Sequence, residues 1–225
     1  MDNFNMQRLN MQKHNTDGML ITFCGLDGCG KTTIIHMLSE LIEEQYGKRI
    51  FLTRQPSTFI RQSDIFRAFM DKPGQEEYEY RSLSLMAAGD RIQHSRKVIL
   101  PELQKGSYVI SDRYIYSCIA NLRARGYTKD KWIYEVINTI IEPDIAFFLD
   151  VPVETAITRV RRRADEKGRY IDMEFQCRLR EEYLNLANKN KGIIIDSSGD
   201  EEETFEAVKE ALYKKYEVKK TGGRL

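Results

Sequence analysis

The chain has 225 residues, 41% of them hydrophobic, which is enough for one well-buried α/β domain and short for two. Its 35 Lys and Arg against 34 Asp and Glu leave a net charge of +1, so no global field draws it to nucleic acid or to an anionic membrane, and any basic site must be local. The four cysteines (Cys24, Cys29, Cys118, Cys177) lack C-x-x-C spacing and suit a reducing interior better than a disulfide scaffold; no stretch approaches transmembrane length, and Met1 to Gly18 is too polar for a signal-peptide core. A cytoplasmic protein with no membrane partner is expected.

In chain order, residues 1–18 are rich in Asn, Gln and Met without a period and are expected to form a flexible extension. Met19 to Phe23 is a short apolar run suited to a buried parallel strand. It leads into Gly25-x4-Gly30-Lys31-Thr32, a Walker A phosphate loop, and Ile34, Ile35, Leu38, Leu41 and Ile42 then recur at helical spacing. Small residues let the backbone curl around a polyphosphate, so that Gly25, Gly28, Cys29, Gly30 and Thr33 present main-chain N–H groups to it. Lys31 is expected on the terminal phosphates and the Thr32 hydroxyl on Mg²⁺. A nucleoside triphosphate with Mg²⁺ is thus the first implication.

Arg49 to Thr53 reads as the second strand, broken by Arg54-Gln55-Pro56-Ser57 at the edge where such sheets bind ligands. Ile60 to Met70 reads as a helix, Lys72-Pro73-Gly74 as a turn, and Glu76 to Gln104 as one long helix. Tyr108 to Ile110 is a third strand, followed at once by Asp112, placed where a phosphate-loop enzyme keeps its second Mg²⁺ partner. Helices over Ile115 to Ala124 and Lys131 to Ile141, a strand over Ile145 to Leu149 and a helix over Glu154 to Arg162 follow. The polar, basic stretch 161–170 reads as a mobile lid. A helix over Glu174 to Asn188, a strand over Ile193 to Asp196 and a closing helix over Thr204 to Tyr216 end a domain of residues 19–216; residues 217–225 are expected to be loose. The fold class is α/β: a five-stranded parallel sheet with helices on both faces, as in P-loop NTPases.

Four features in this order resemble the thymidylate kinase family of nucleoside monophosphate kinases: the loop Gly25-Leu-Asp27-Gly28-Cys29-Gly30-Lys31-Thr32, Thr53-Arg54-Gln55-Pro56, Asp90-Arg91-Ile-Gln-His94 and Ser111-Asp112-Arg113-Tyr114. Arg169-Tyr170 with Phe175-Gln176 matches the segment after the family's lid. The resemblance implies transfer of the γ-phosphoryl group of ATP to dTMP, with Asp27 at the sugar 3′-hydroxyl, Arg54 and Arg113 at the monophosphate, Arg91 at a base carbonyl, and Tyr114 and Tyr170 on the acceptor side. It also implies a homodimer, which apolar residues on the Ile92 to Leu103 helix could serve, though a buried core face explains them equally well. Some family members carry an arginine in the loop and others supply it from the lid. Here Gly28 follows Asp27, so the lid is expected to provide it: Arg163 foremost, on one helix face with Arg159, and with Arg161 and Arg169 nearby.

The base pocket departs from the family pattern. Ala87 stands where a phenylalanine stacks on thymine, a contact worth about 1–3 kcal/mol per base. Cys118 replaces a hydrogen-bonding residue that faces the base, and Asn121 stands near where an aromatic ring crowds the sugar 2′ position. Two alternatives therefore stay open beside a dTMP kinase: a kinase of the same fold for another or modified nucleotide, and a nucleotide-binding regulatory protein with no acceptor.

Overall fold

The computed structural model describes residues 8–71, 78–168 and 170–220. Five parallel strands, β1 (Met19–Cys24), β2 (Ile50–Arg54), β3 (Tyr108–Asp112), β4 (Ile145–Asp150) and β5 (Ile193–Asp196), lie in the order β2-β3-β1-β4-β5. Every residue of β1 is buried, as a central strand covered on both faces requires. The chain leaves β1 for the β2–β3 side and later crosses to β4, so the strand order reverses beside β1. The crevice at the carboxyl ends of β1 and β3 is the switch point at which such sheets hold ligands. The register brings Phe23 opposite Asp112, and Arg54 opposite Asp112 from the other side.

Helix α1 (Lys31–Tyr46) buries Ile34, Ile35, Leu38 and Ile42 and closes at Gly47, whose positive φ of 57° lets its N–H reach the Glu43 carbonyl. The expected helix over Ile60 to Met70 is two helices, α2 (Thr58–Arg61) and α3 (Asp64–Asp71). Ser63 divides them: its hydroxyl donates to the Ile60 carbonyl and accepts the Phe66 N–H, ending one helix and capping the next. The expected turn at Lys72-Pro73-Gly74 and the start of the long helix at Glu76 lie outside the described residues.

That long helix continues as α4 (Tyr80–His94), a π-helical turn over Ser95–Ile99 and α5 (Leu100–Gln104). Pro101 sits in the first turn of α5, and the wider turn absorbs its missing N–H. Ile99 and Leu103 are fully buried, so these residues serve the core. Helices α6 (Ile115–Ala124), α7 (Trp132–Ile137), α8 (Val153–Arg161), α9 (Met173–Lys189) and α10 (Glu201–Lys220) complete the fold. The last runs four residues past the expected end at Tyr216.

Residues 8–18 differ most from the expectation of a flexible extension. Leu9 and Met11 are buried, Leu9 N–H donates to Asn190 Oδ1 (2.8 Å), and Gln12 pairs with the segment before β4 through bonds to Ile140 and Glu142. His14 Nε2 lies 3.0 Å from Asp144 Oδ2, which also accepts the Leu20 N–H at the start of β1. Residues 1–7 and 221–225 lie outside the described residues.

A second histidine joins sheet to helix: His94 Nε2 is 2.7 Å from the Thr53 hydroxyl at the end of β2. Burial holds its pKa below the ordinary imidazole value, opposed by Asp90 and reinforced by Arg91. As pH falls through about 6.5 the unfolded chain takes this proton before the folded one, so this stabilisation is complete above that pH and lost below it.

Two measurements follow from these contacts. Replacing Leu9 and Met11 together by Ala is expected to cost at least about 2 kcal/mol of unfolding free energy in denaturant titration, where a loose arm would leave it unchanged. The fall in melting temperature from about pH 7.5 to about pH 5.5 is expected to be shallower in His94→Gln; an equal slope in both proteins would remove His94 as the group responsible.

Candidate active site

The loop after β1 is shaped by glycines. Gly25 (φ 140°) and Gly28 (φ 87°) adopt conformations that side chains resist, and an added Cβ would stand 2.4 Å from the Leu149 carbonyl oxygen at Gly25 and 2.2 Å from that of Ala156 at Gly28. Gly30 (φ 91°) turns the chain into α1, whose first turn holds no acidic residue, so the positive helix end faces the loop uncompensated. Lys31 is buried and folded back on the loop: Nζ donates to Leu26 O (2.7 Å) and Gly25 O (3.1 Å) and lies 3.4 Å from Cys29 Sγ. Thr32 is exposed at the same helix end, with Thr33 half-buried beside it.

Across the crevice, Arg113 follows β3 with φ 69°, an uncommon conformation for a residue with a side chain. Two bonds enforce it: its N–H donates to Phe23 O (2.8 Å) and its carbonyl accepts the Ser111 hydroxyl (2.7 Å). The largely buried guanidinium pairs with Asp27 and donates to Tyr183 Oη (3.1 Å). Burial opposes its charge, yet Asp27 and neighbouring groups more than offset this, and its pKa rises above the ordinary value. Arg54, half exposed, lies 3.2 Å from Asp112 Oδ2. Asp112 Oδ1 is buried with no hydrogen-bond partner among the described residues.

One neighbour, Arg61, escaped the sequence reading, and Gln55 shows a burial that its motif did not announce. Arg61 of α2 folds back to donate from Nε to Pro56 O (2.9 Å) and from Nη2 to Gln55 O (3.3 Å). Burial, with the charges of Arg54 and Arg113, pushes its pKa down to about 10. Three guanidinium groups thus crowd around Asp27 and Asp112, an arrangement that favours an anion. Gln55 bonds the Asp112 carbonyl through its main chain (3.0 Å), and its side chain is fully buried with both amide atoms unpaired among the described residues. Only the helical placement of Arg61, five residues beyond a proline turn, hinted at this in the sequence.

On the base side, Ala87 packs with Ile60, Ile65 and Leu83 in a small aliphatic cluster. Arg91 is buried, with Nη1 donating to Ala87 O (2.8 Å) and Nε unpaired among the described residues. Cys118 is buried with Sγ 3.8 Å from Ser84 O, and Asn121 bonds the Ser117 carbonyl (2.9 Å). The structure corrects the reading of Tyr114: its ring is fully buried and its hydroxyl donates to Ile141 O (2.7 Å), which makes it a core residue. Tyr170 is exposed ahead of α9.

The arginines in and beside the expected lid part company. Helix α8 ends at Arg161, and Arg163 is extended beyond it, so the expected shared helix face with Arg159 does not form. Val160 is the last buried residue, and the polar run after it gives the helix nothing further to bury. Arg159 is held by the carbonyls of Ser197 (2.7 Å), Ser198 (3.2 Å) and Gly199 (3.0 Å), whereas Arg161 and Arg163 are exposed. Arg169 lies outside the described residues.

A phosphate loop facing, across one strand register, a carboxylate and a set of arginines defines a phosphotransferase of the P-loop class. Comparison with known proteins narrows the class. Residues 23–208 match the family described as thymidylate kinase. A probable thymidylate kinase of Pyrococcus abyssi is 34% identical over 197 residues, covering 85% of this chain and 94% of that protein. A thymidylate kinase of Trichlorobacter lovleyi is 32% identical over 213 residues (89% and 99%), and a probable one of Thermococcus kodakarensis 35% over 175 (75% and 84%). The chain belongs to the thymidylate kinase family.

Proposed function

We propose that this chain transfers the γ-phosphoryl group of ATP to dTMP. The observation that carries this reading is the meeting of the Lys31 loop at the end of β1 with Asp27, Arg54, Arg61 and Arg113 around the adjoining end of β3. Phosphoryl transfer asks a protein mainly for positioning and charge, and two anions can approach each other only where cations converge. Lys31 exchanges neutral loop carbonyls for phosphate oxygens, a gain because a charged acceptor makes the stronger bond. Arg54, Arg61 and Arg113 hold the acceptor phosphate in line, and Asp27, fixed by Arg113, orients the sugar hydroxyl.

The residues fit Mg²⁺: Asp112 Oδ1 is a buried carboxylate oxygen with no partner among the described residues, and hard oxygen donors of this kind suit a cation that keeps several waters. Asp112 and the Thr32 hydroxyl would hold it, and when bound it neutralises charge on the donor phosphates. Gly28 leaves the loop without an arginine, and exposed Arg163 after α8 is the side chain assigned to the transferring group, with Arg161 beside it. Among the described residues no helix is long and apolar enough to cross a membrane, and a cytoplasmic homodimer is part of this proposal; Leu85 and Met86, exposed on α4, offer apolar surface for it. The relatives favour neither a different acceptor nor a regulatory switch.

ATP consumption by the purified protein against dTMP, dUMP, dCMP and UMP at equal concentration is expected to show dTMP preferred, with Lys31→Ala lowering kcat/KM at least about 100-fold while the protein stays folded. Preference for another nucleotide, turnover without an acceptor, or an active Lys31→Ala protein would each overturn the reading, as sedimentation as a monomer would the dimer.

A further inference from the structure

Helix α4 carries Ser84, Ala87 and Arg91 at spacings of three and four, one stripe along the helix. Two side-chain atoms on that stripe have no partner among the described residues although both residues are only 2% exposed: Ser84 Oγ and Arg91 Nε. The two omissions are unusual separately, since buried polar atoms are nearly always paired. A helical serine has an easy alternative in the carbonyl one turn back, and Ser84 does not take it. Facing the stripe is α6, whose Cys118 approaches the Ser84 carbonyl to 3.8 Å. Its thiol is a weak donor and a weak acceptor, and burial raises its pKa, so it stays a neutral thiol that cannot replace a true hydrogen-bonding group. Ala87, between Ser84 and Arg91, offers only a methyl group and no polar atom to that stripe.

We propose that Ser84 is a specificity-determining residue that reads the polar edge of the acceptor base together with Arg91. The inference rests on the dTMP reading above and deepens it. Arg91 Nε–H can only donate, so it selects a ring carbonyl, while the Ser84 hydroxyl can accept from the ring N–H next to that carbonyl. Adjacent carbonyl and N–H groups are what a 4-oxo pyrimidine presents. A 4-amino pyrimidine would set a donor against Arg91 and leave its buried Nε–H unpaired, while the Ser84 hydroxyl could turn to donate to the bare ring nitrogen, so rejection of that ring falls on Arg91. Ser84 therefore takes the role that Cys118 cannot fill, from the opposite wall of the pocket.

The test is Ser84→Ala in the full chain, with steady-state kinetics, thermal unfolding and one modified substrate. The KM for dTMP is expected to rise about tenfold, as for loss of one well-placed hydrogen bond, with kcat and the KM for ATP unchanged. The melting temperature of the free protein is expected to stay level or rise, because the variant removes a buried hydroxyl that has no partner. N3-methyl-dTMP, which has no ring N–H, is expected to be discriminated against several-fold less by the variant than by the unaltered protein. A KM for dTMP within twofold of the original overturns the inference, as does an unchanged preference against the N3-methyl compound. A rise in KM accompanied by a lower melting temperature also overturns it, since that marks a structural hydroxyl. Failure of the unaltered protein to phosphorylate dTMP would instead refute the function above, and this inference with it.

Discussion

The ion pair between Arg113 and Asp27 is the contact on which the site depends. It joins the residue after β3 to the interior of the loop after β1, and the same guanidinium reaches Tyr183 of α9. A charge this deeply placed is tolerated only with a partner, and deleting one member of such a pair strands the other. The strained backbone of Arg113 persists because the Phe23 carbonyl and the Ser111 hydroxyl fix both of its main-chain groups. Sheet register, loop shape and the position of α9 therefore meet at one side chain.

Around that pair, the free protein holds its charges in provisional partnerships. Lys31 rests on loop carbonyls, Arg54 on Asp112, and Arg61 on the carbonyls of Gln55 and Pro56. Each cation is pre-positioned, and substrate phosphates offer a better acceptor than most of these placeholders. Such an arrangement keeps cations close together without an anion and lowers the reorganisation needed when one arrives.

What could be read from the sequence was what is local. The strands and the phosphate loop announce themselves through apolar runs and glycine spacing, and Asp112 and Arg113 through their position after β3. The packing of Leu9 and Met11 could not be read, since two alternating apolar residues make no period and their partners lie near residues 139–144 and 190. Arg61 and Ser84 stayed hidden for a related reason: each owes its interest to neighbours that only the tertiary fold supplies. Tyr114 shows the reverse error, a residue within a recognised motif whose side chain points into the core. The end of α8 misled because helical spacing was extended into a run with nothing left to bury.

The close approach of the Ala156 carbonyl to Gly28 bears on how enzymes of this design can change over time. An arginine at this loop position and one on the lid are two ways to supply the same charge, yet here no single substitution leads from one to the other. Any side chain at Gly28 would first have to push α8 away from the loop, and α8 is the helix that leads into the stretch proposed to carry the other arginine. The lineage can move between the two solutions only by shifting a helix and rewriting a loop together, so the source of the charge is inherited with the backbone.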